Sequence, residues 1–275
     1  MRPAARLSLT AFALACASRA IAPSSASPAA PTPSRPVRIA PGTARYRSAS
    51  FTHLERQIAG QPQPTDEARV FFLTASLAQQ GTNLQATLTV DSVTRYDVGP
   101  AATGIERMRG LVFTGMLGPE GEIHGLTGGD STIRAVAELA DGLSHLYPRI
   151  PPRGVEPGDI WSDTTETASQ SGTLPLTVVA VSQHRADSPT DAGPEAAIPI
   201  LTETTYTFSG QGSQSGQAFS VQGEGRRHTM ELLGLRGVFE RMVSADTSSF
   251  TVSSPAMDVS IAGHQTRADT LSILH

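Results

Sequence analysis

Polar and apolar residues alternate along most of this chain. In 84–94, Leu84, Ala86, Leu88 and Val90 recur at every second position with Gln85, Thr87 and Thr89 between them. That period predicts a strand with one buried face. The run 69–79 before it is apolar through Val70, Phe71, Phe72 and Leu73, and Gln80-Gly81-Thr82-Asn83 separates the two. A β-hairpin follows from that pattern. Further strands are predicted at 111–117, 122–126, 160–169, 173–184, 198–208, 219–232, 238–243, 248–253, 257–261 and 265–274, most of them bounded by Gly, Pro or Asn. The predicted fold class is mainly β: an antiparallel, strongly curved sheet or half-barrel.

Only 131–147 has helical periodicity. Ile133, Val136, Ala137, Ala140, Leu143 and Tyr147 recur at steps of three and four, with Asp130 or Ser131 as N-cap and Pro148 as the stop. The apolar stripe predicts a helix packed on the sheet. Gly142 interrupts it at a cost of about 1 kcal/mol relative to Ala, which marks a weak point or a close contact.

Two segments echo each other. Met116-Leu117-Gly118-Pro119-Glu120-Gly121 and Leu232-Leu233-Gly234-Leu235-Arg236-Gly237 share an apolar residue, Leu and a Gly-x-x-Gly turn, and apolar residues follow in both. The sheet then reads as two related β units, 43–147 and 148–275, within one continuous domain 43–275. An insertion at 186–197 and an extra hairpin absorb the difference in spacing.

The first 42 residues follow other rules. Arg2 and Arg6 precede an apolar run at 7–15, which ends at Cys16, the only cysteine in the chain. This order predicts a signal peptide over 1–15. As a helix the run rises about 14 Å, against roughly 30 Å of bilayer hydrocarbon. Ala13-Leu14-Ala15 suits ordinary signal peptidase, and Ala13-Leu14-Ala15-Cys16 also resembles the lipobox of bacterial lipoproteins, which prefers Leu where Ala13 stands. That resemblance makes Cys16 a lipid anchor. Ala17 after it implies the outer membrane by analogy with Gram-negative lipoproteins. A lone thiol in an exported chain forms no internal disulfide, so lipidation gives it a role. The Ala/Ser/Pro-rich stretch 16–42 has too few large apolar side chains to offset its ordering entropy and reads as a disordered tether.

Composition narrows the job further. All 21 cations are arginine, and the formal net charge is −4. Nucleic-acid binding rests on clustered positive charge, which this chain lacks. Arginine without lysine fits a GC-rich genome.

Between the two units, Pro148, Pro151, Pro152 and Pro157 block regular structure until Ile160, and Trp161 opens a strand. Helix, proline corner, Pro157-Gly158-Asp159-x-Trp161 and strand together resemble a junction in an uncharacterised family of bacterial secreted or lipid-anchored β proteins. That resemblance implies an envelope β protein akin to the half-barrel lipoprotein carriers, and no particular activity. Trp161 reads as a core anchor.

No catalytic spacing emerges. Gly129-Asp130-Ser131 resembles the nucleophile block of one hydrolase family, but that family's late Asp-x-x-His is missing and Ser131 suits a helix cap. Gly210-Gln211-Gly212-Ser213-Gln214-Ser215-Gly216 is not Gly-x-Ser-x-Gly and reads as a flexible hairpin loop. The 7 histidines show no His-x-x-x-His spacing, so no catalytic residue, cofactor site or sequence-local metal site is expected. Arg226-Arg227-His228 reads as a solvated strand end, and Asp159, Asp163 and Glu166 as a solvated rim or a cation site. The expected function is a non-enzymatic bacterial envelope protein, a lipoprotein that binds an apolar ligand or a partner protein. An assembly component of the outer membrane and a hydrolase with a dispersed site are the alternatives. The expected partners are the membrane, through the anchor, and an apolar ligand or envelope protein.

Overall fold

The fold is given by a computed structural model that describes residues 35–58, 60–95, 105–171, 174–190, 196–214, 217–254 and 259–275. The expected signal peptide, Cys16 and most of the expected tether lie outside these residues. The strands are β1 (Gly42–Ile58), β2 (Gln61–Gln80), β3 (Asn83–Arg95), β4 (Val112–Leu117), β5 (Ile123–Thr127), β6 (Ile160–Ser171), β7 (Leu174–Ala186), β8 (Ala197–Gln214), β9 (Gln217–Gly234), β10 (Phe239–Ser254) and β11 (Val259–Leu274). They form one 11-stranded sheet in the order β5-β4-β3-β2-β1-β11-β10-β9-β8-β7-β6. Every pairing is antiparallel. The first and last strands therefore meet in the middle, and β5 and β6 are the two edges.

The 20 residues of β2 span about 68 Å, so the longest hairpins run far beyond any core. The core gathers at one end, called the plug end below. There Tyr46, Leu73, Leu88, Phe113, Ile123 and Phe239 are all at most 2% exposed and pack together with Val136 and Leu143 of helix α1 (Arg134–Ser144). Tyr147, just after the helix, places its ring 6.0 Å from that of Phe239 on β10. Burial pushes the Tyr46 and Tyr147 hydroxyls above their ordinary pKa, and the Tyr46 hydroxyl donates to the Phe239 carbonyl at 2.9 Å. A smaller cluster of Val37, Ile150, Val155, Ile198, Ile200 and Leu233 closes the other side.

The two edges are not hydrogen-bonded to each other, yet α1 contacts both β5 and β6. Arg149 completes this seam. Its guanidinium lies 3.2 Å from Glu122 beside β5 and 2.9 Å from Asp163 on β6. The sheet thus curls around the plug without closing, as its alternation predicted. Arg149→Gln should cost about 1–2 kcal/mol by leaving a half-buried carboxylate short of its cation. Hydrogen bonding from His184, then Arg149, holds the Asp163 carboxyl below the usual carboxylate range. Its stabilising contribution is present above the ordinary carboxylate pKa and is lost as pH falls through the lowered one. Melts between pH 3 and 7 should show the variant losing stability at a higher pH than the parent.

Several expectations need correction. The helix is shorter than 131–147, and its N-cap is Ile133 with no side-chain hydrogen bond. Ser131 does not cap it. Instead Asp130 accepts from the Thr132 amide at 3.0 Å and its hydroxyl at 2.6 Å, which spends the carboxylate on a turn before the helix and lowers its pKa. Gly142 has open space around it, so no close contact explains it. The end of the stretch read as tether is docked: Val37 and Val155 exchange backbone hydrogen bonds of 2.8 Å, and Ala40 donates to Gly237 at 2.9 Å. Val37, 5% exposed, provides the apolar anchor that the composition of the stretch as a whole concealed.

The two Gly-x-x-Gly turns are built alike. Gly118 donates to Glu122 and Gly121 to Gly118; Gly234 donates to Val238 and Gly237 to Gly234. Gly121 (φ 91°) and Gly237 (φ 80°) occupy the left-handed region at the fourth position of each turn. Each turn also receives an incoming chain segment, since Ile150 donates to Glu120 as Ala40 does to Gly237. The repeat seen in the sequence is a repeated docking turn.

Candidate functional site

Residues opposite one another on neighbouring strands form rows across the sheet, and on the plug-facing side these rows change character with height. The lowest row on β8 and β9 is apolar, with Ile198 opposite Leu233. The next sets Ile200, Glu231, Met242 and Leu271 side by side. Above it come His184, Thr202, Thr229, Ser244 and Asp269, then Ser182, Thr204, Arg227, Asp246 and Arg267. These two rows make a polar belt. Small hydroxyl side chains suit the inside of a tightly curled sheet because they fit the narrowed spacing and find partners across it.

The belt is hydrogen-bonded along its length. His184 is 2.9 Å from the Thr202 hydroxyl and 3.3 Å from Asp163, Ser182 is 3.0 Å from Thr204, and Thr229 donates to Ser244 at 3.2 Å. Trp161 stacks on His184 with ring centroids 5.0 Å apart. It also packs on the smaller core cluster, as a core anchor should. Asp246, 4% exposed, accepts from the Tyr206 hydroxyl at 2.6 Å and from Arg227 Nε at 2.8 Å. Burial, then the hydrogen bond to Asp246, pushes the Tyr206 hydroxyl up to about 12. Arg267 Nε donates to Asp269 at 2.9 Å.

Glu231 is the exception in this network. It is 8% exposed between apolar neighbours, and no described residue offers it a hydrogen bond or an ion pair. Burial pushes its pKa up to about 8.

Beyond the belt the inner face turns aromatic and then aliphatic. Tyr206, Phe208 and Phe250 lie over Gly225, Gly223 and Gly263 of neighbouring strands, where an added Cβ would come within 2.2–2.4 Å of a ring carbon. Glycine opposite an aromatic ring lets the ring lie flat along the sheet. Val178, Val221, Val252 and Ile261 follow on the same side, partly exposed.

The opposite face differs in kind. Glu203, Glu224, Arg226, His228 and Arg241 are exposed there. Two shallow grooves of about 660 and 520 Å³ cross this face and share Thr207, Glu224, Ser249 and His264. His264 is 3.3 Å from the Ser249 hydroxyl.

The sequence-predicted residues scatter over this frame. Arg227 is not a solvated strand end but lies in mid-strand on the belt, while Arg226 and His228 face the other way because strand neighbours alternate. Of the three carboxylates, Asp163 joins the seam and the belt, Asp159 pairs with Arg153 at 2.6 Å, and Glu166 is exposed. They do not converge. Residues 210–214 continue β8 rather than forming a loop, since they pair in register with 217–221 of β9. Among the described residues no group of three or more His, Cys, Asp or Glu could hold a metal ion, and no helix is long and apolar enough to cross a membrane. Cys16, the expected lipid anchor, lies outside the described residues.

No family model matches the chain, and no curated protein matches it. Among solved structures, the crystal structure of Pseudomonas aeruginosa OccK2 (OpdF) is similar over 85% of this chain and 98% of that one, at 9% identity and a TM-score of 0.24.

Proposed function

We propose that this protein is a non-enzymatic component of a bacterial envelope, held by lipid on Cys16, that carries an apolar ligand against the inner face of its curled sheet. The observation that carries this reading is the partly exposed apolar band of Val178, Phe208, Val221, Phe250, Val252 and Ile261 above the polar belt. In a filled domain such a band is covered by a second layer. Here it continues past the plug toward the hairpin ends, where a ligand would supply the missing layer. On the opposite face Glu203, Glu224, Arg226 and His228 stand exposed beside Phe51, Val179 and Val181, and those mid-strand charges support a carrier over a membrane-spanning barrel, whose outer face is an unbroken apolar band.

Asp163, His184 and Thr202 do converge as a hydrolase would need. His184 is only 4% exposed beneath Trp161, which suits a strut between β6, β7 and β8 better than a proton shuttle open to substrate.

The test is native purification from membranes, with mass spectrometry of the N-terminus and of co-purified small molecules, beside binding of the apolar probe N-phenylnaphthylamine. A diacylglyceryl Cys16 and probe binding that falls roughly tenfold in Phe250→Ser/Val252→Ser are expected, from the lost burial of two large side chains. An unmodified Cys16 with no bound molecule and no probe binding overturns the reading.

A further inference from the structure

Asp246 on β10 stands in register with Arg227 on one side and Arg267 on the other, all three on the inner face. Strand spacing sets the two arginine Cα atoms about 10 Å apart, close enough for both side chains to reach one group between them. Each is held by its inner nitrogen: Arg227 Nε on Asp246 at 2.8 Å, Arg267 Nε on Asp269 at 2.9 Å. The carboxylates lie low, with side chains 4% and 18% exposed, whereas the arginine side chains are 49% and 47% exposed. Each guanidinium therefore turns its outer Nη edge to the open side, and no described residue takes that edge. Tyr206 fixes Arg227 further, since its ring centre is 5.8 Å from the guanidinium carbon and its hydroxyl shares Asp246.

We propose that Arg227 and Arg267 form a cradle for the acidic head of an amphipathic ligand, whose apolar part lies along the band from Phe208 and Phe250 to Val221 and Val252. This rests on the carrier reading given above. The cradle adds what an apolar band alone lacks, a fixed end for the ligand. Planar guanidinium groups anchored at Nε present paired donors to a carboxylate or a phosphate, and little side-chain entropy remains to be lost on binding. Each cation is already balanced by its own carboxylate, so the selectivity comes from presented N–H groups rather than from net field. From Arg227 to Val221 the strand rises about 20 Å, room for a long acyl chain. Glu231, four residues from Arg227 on the same face, is kept largely protonated at neutral pH by burial and so does not repel an anion.

The test uses the full-length protein with three single-chain amphiphiles: palmitate, 1-palmitoyl lysophosphatidate and uncharged monopalmitoylglycerol. Arg227→Gln/Arg267→Gln should weaken the two acidic amphiphiles roughly tenfold or more while monopalmitoylglycerol binding stays the same. Arg227→Lys/Arg267→Lys keeps the charge without the fork and should fall between, which separates the cradle from loss of fold if the glutamine pair is unstable. A loss confined to lysophosphatidate assigns the head as phosphate; a loss for both assigns any acidic head. If the parent binds all three and neither double variant changes the acidic ones, the cradle is overturned and the carrier stands. Should the parent bind none of the three, the carrier reading falls with it.

Discussion

Glu231→Gln should stabilise this protein at neutral pH and lose its advantage in acid. Glu231 sits between Ile200 and Met242 on neighbouring strands, 8% exposed and unpartnered by any described residue. Burial disfavours the carboxylate, so the folded protein releases that proton near pH 8 while the unfolded chain does so near 4.5. Below the unfolded value both states hold the proton and the fold carries no penalty. Between the two values the unfolded state alone loses it, so stability falls as pH rises, and the penalty reaches its full size above about pH 8. At pH 7 this amounts to on the order of 3 kcal/mol. Glutamine has the same shape and cannot ionise. The variant should therefore melt several degrees above the parent at pH 7–8, with the gap closing toward pH 4.5. A difference independent of pH between 4.5 and 8 would mean that the Glu231 pKa is not raised in the fold.

Gly237→Ala and Gly121→Ala should be among the most damaging single methyl additions at the described glycines. Both residues need positive φ, and an added Cβ would lie 2.1 Å from the Arg38 carbonyl oxygen in one case and 2.0 Å from that of Pro148 in the other. Backbone strain alone costs about 1–3 kcal/mol. The clash adds to it, because the neighbour is main chain and can yield only if the docked segment lifts away. A loss of several kcal/mol is expected in denaturant melts. Gly81→Ala serves as the control: its φ is 62° but the space around it is open, so only the strain applies. Limited trypsin digestion distinguishes the two sites. Gly237→Ala should release the segment around Arg38 for cleavage there, and Gly121→Ala the segment carrying Arg149 and Arg153. Equal resistance in variants and parent would show that the turns do not hold these segments.

The strands legible in the sequence are those whose inner face is apolar. Leu84, Ala86, Leu88 and Val90 announce β3, which stands over the plug. Strand β1 gives almost no signal because above Tyr46 its inner positions are Ser48, Ser50 and Thr52, which line the belt's side of the sheet. For the same reason β10 reads as two short strands, whereas β11 is split at Gly263, the glycine beneath the Phe250 ring. Ser244, Asp246 and Ser248 interrupt the apolar pattern of β10, although the ladder runs through them without a break. Belt and site are one set of residues, so what hid the strands also hid the site. Arg227 and Asp246 show no local motif, and only a register across three strands brings them into one row with Arg267. The repeated Gly-x-x-Gly turns were visible because glycine at positive φ leaves a mark in sequence that does not depend on long-range pairing.

The central pairing of β1 with β11 has a consequence for how the chain can be made. Arg45 finds its partner at Leu274, more than two hundred residues along the chain. A growing chain therefore completes ten strands while the middle of its sheet stays unzipped. Neither half can seal early, because each meander keeps one long side bare until β11 has been made. Contacts this distant along the sequence make for slow collapse. A product ending before residue 259 would lack all of β11 and have nothing to join its two meanders. Strand β11 acts as a late latch, since the two meanders become one sheet only when it pairs with β1 on one side and β10 on the other.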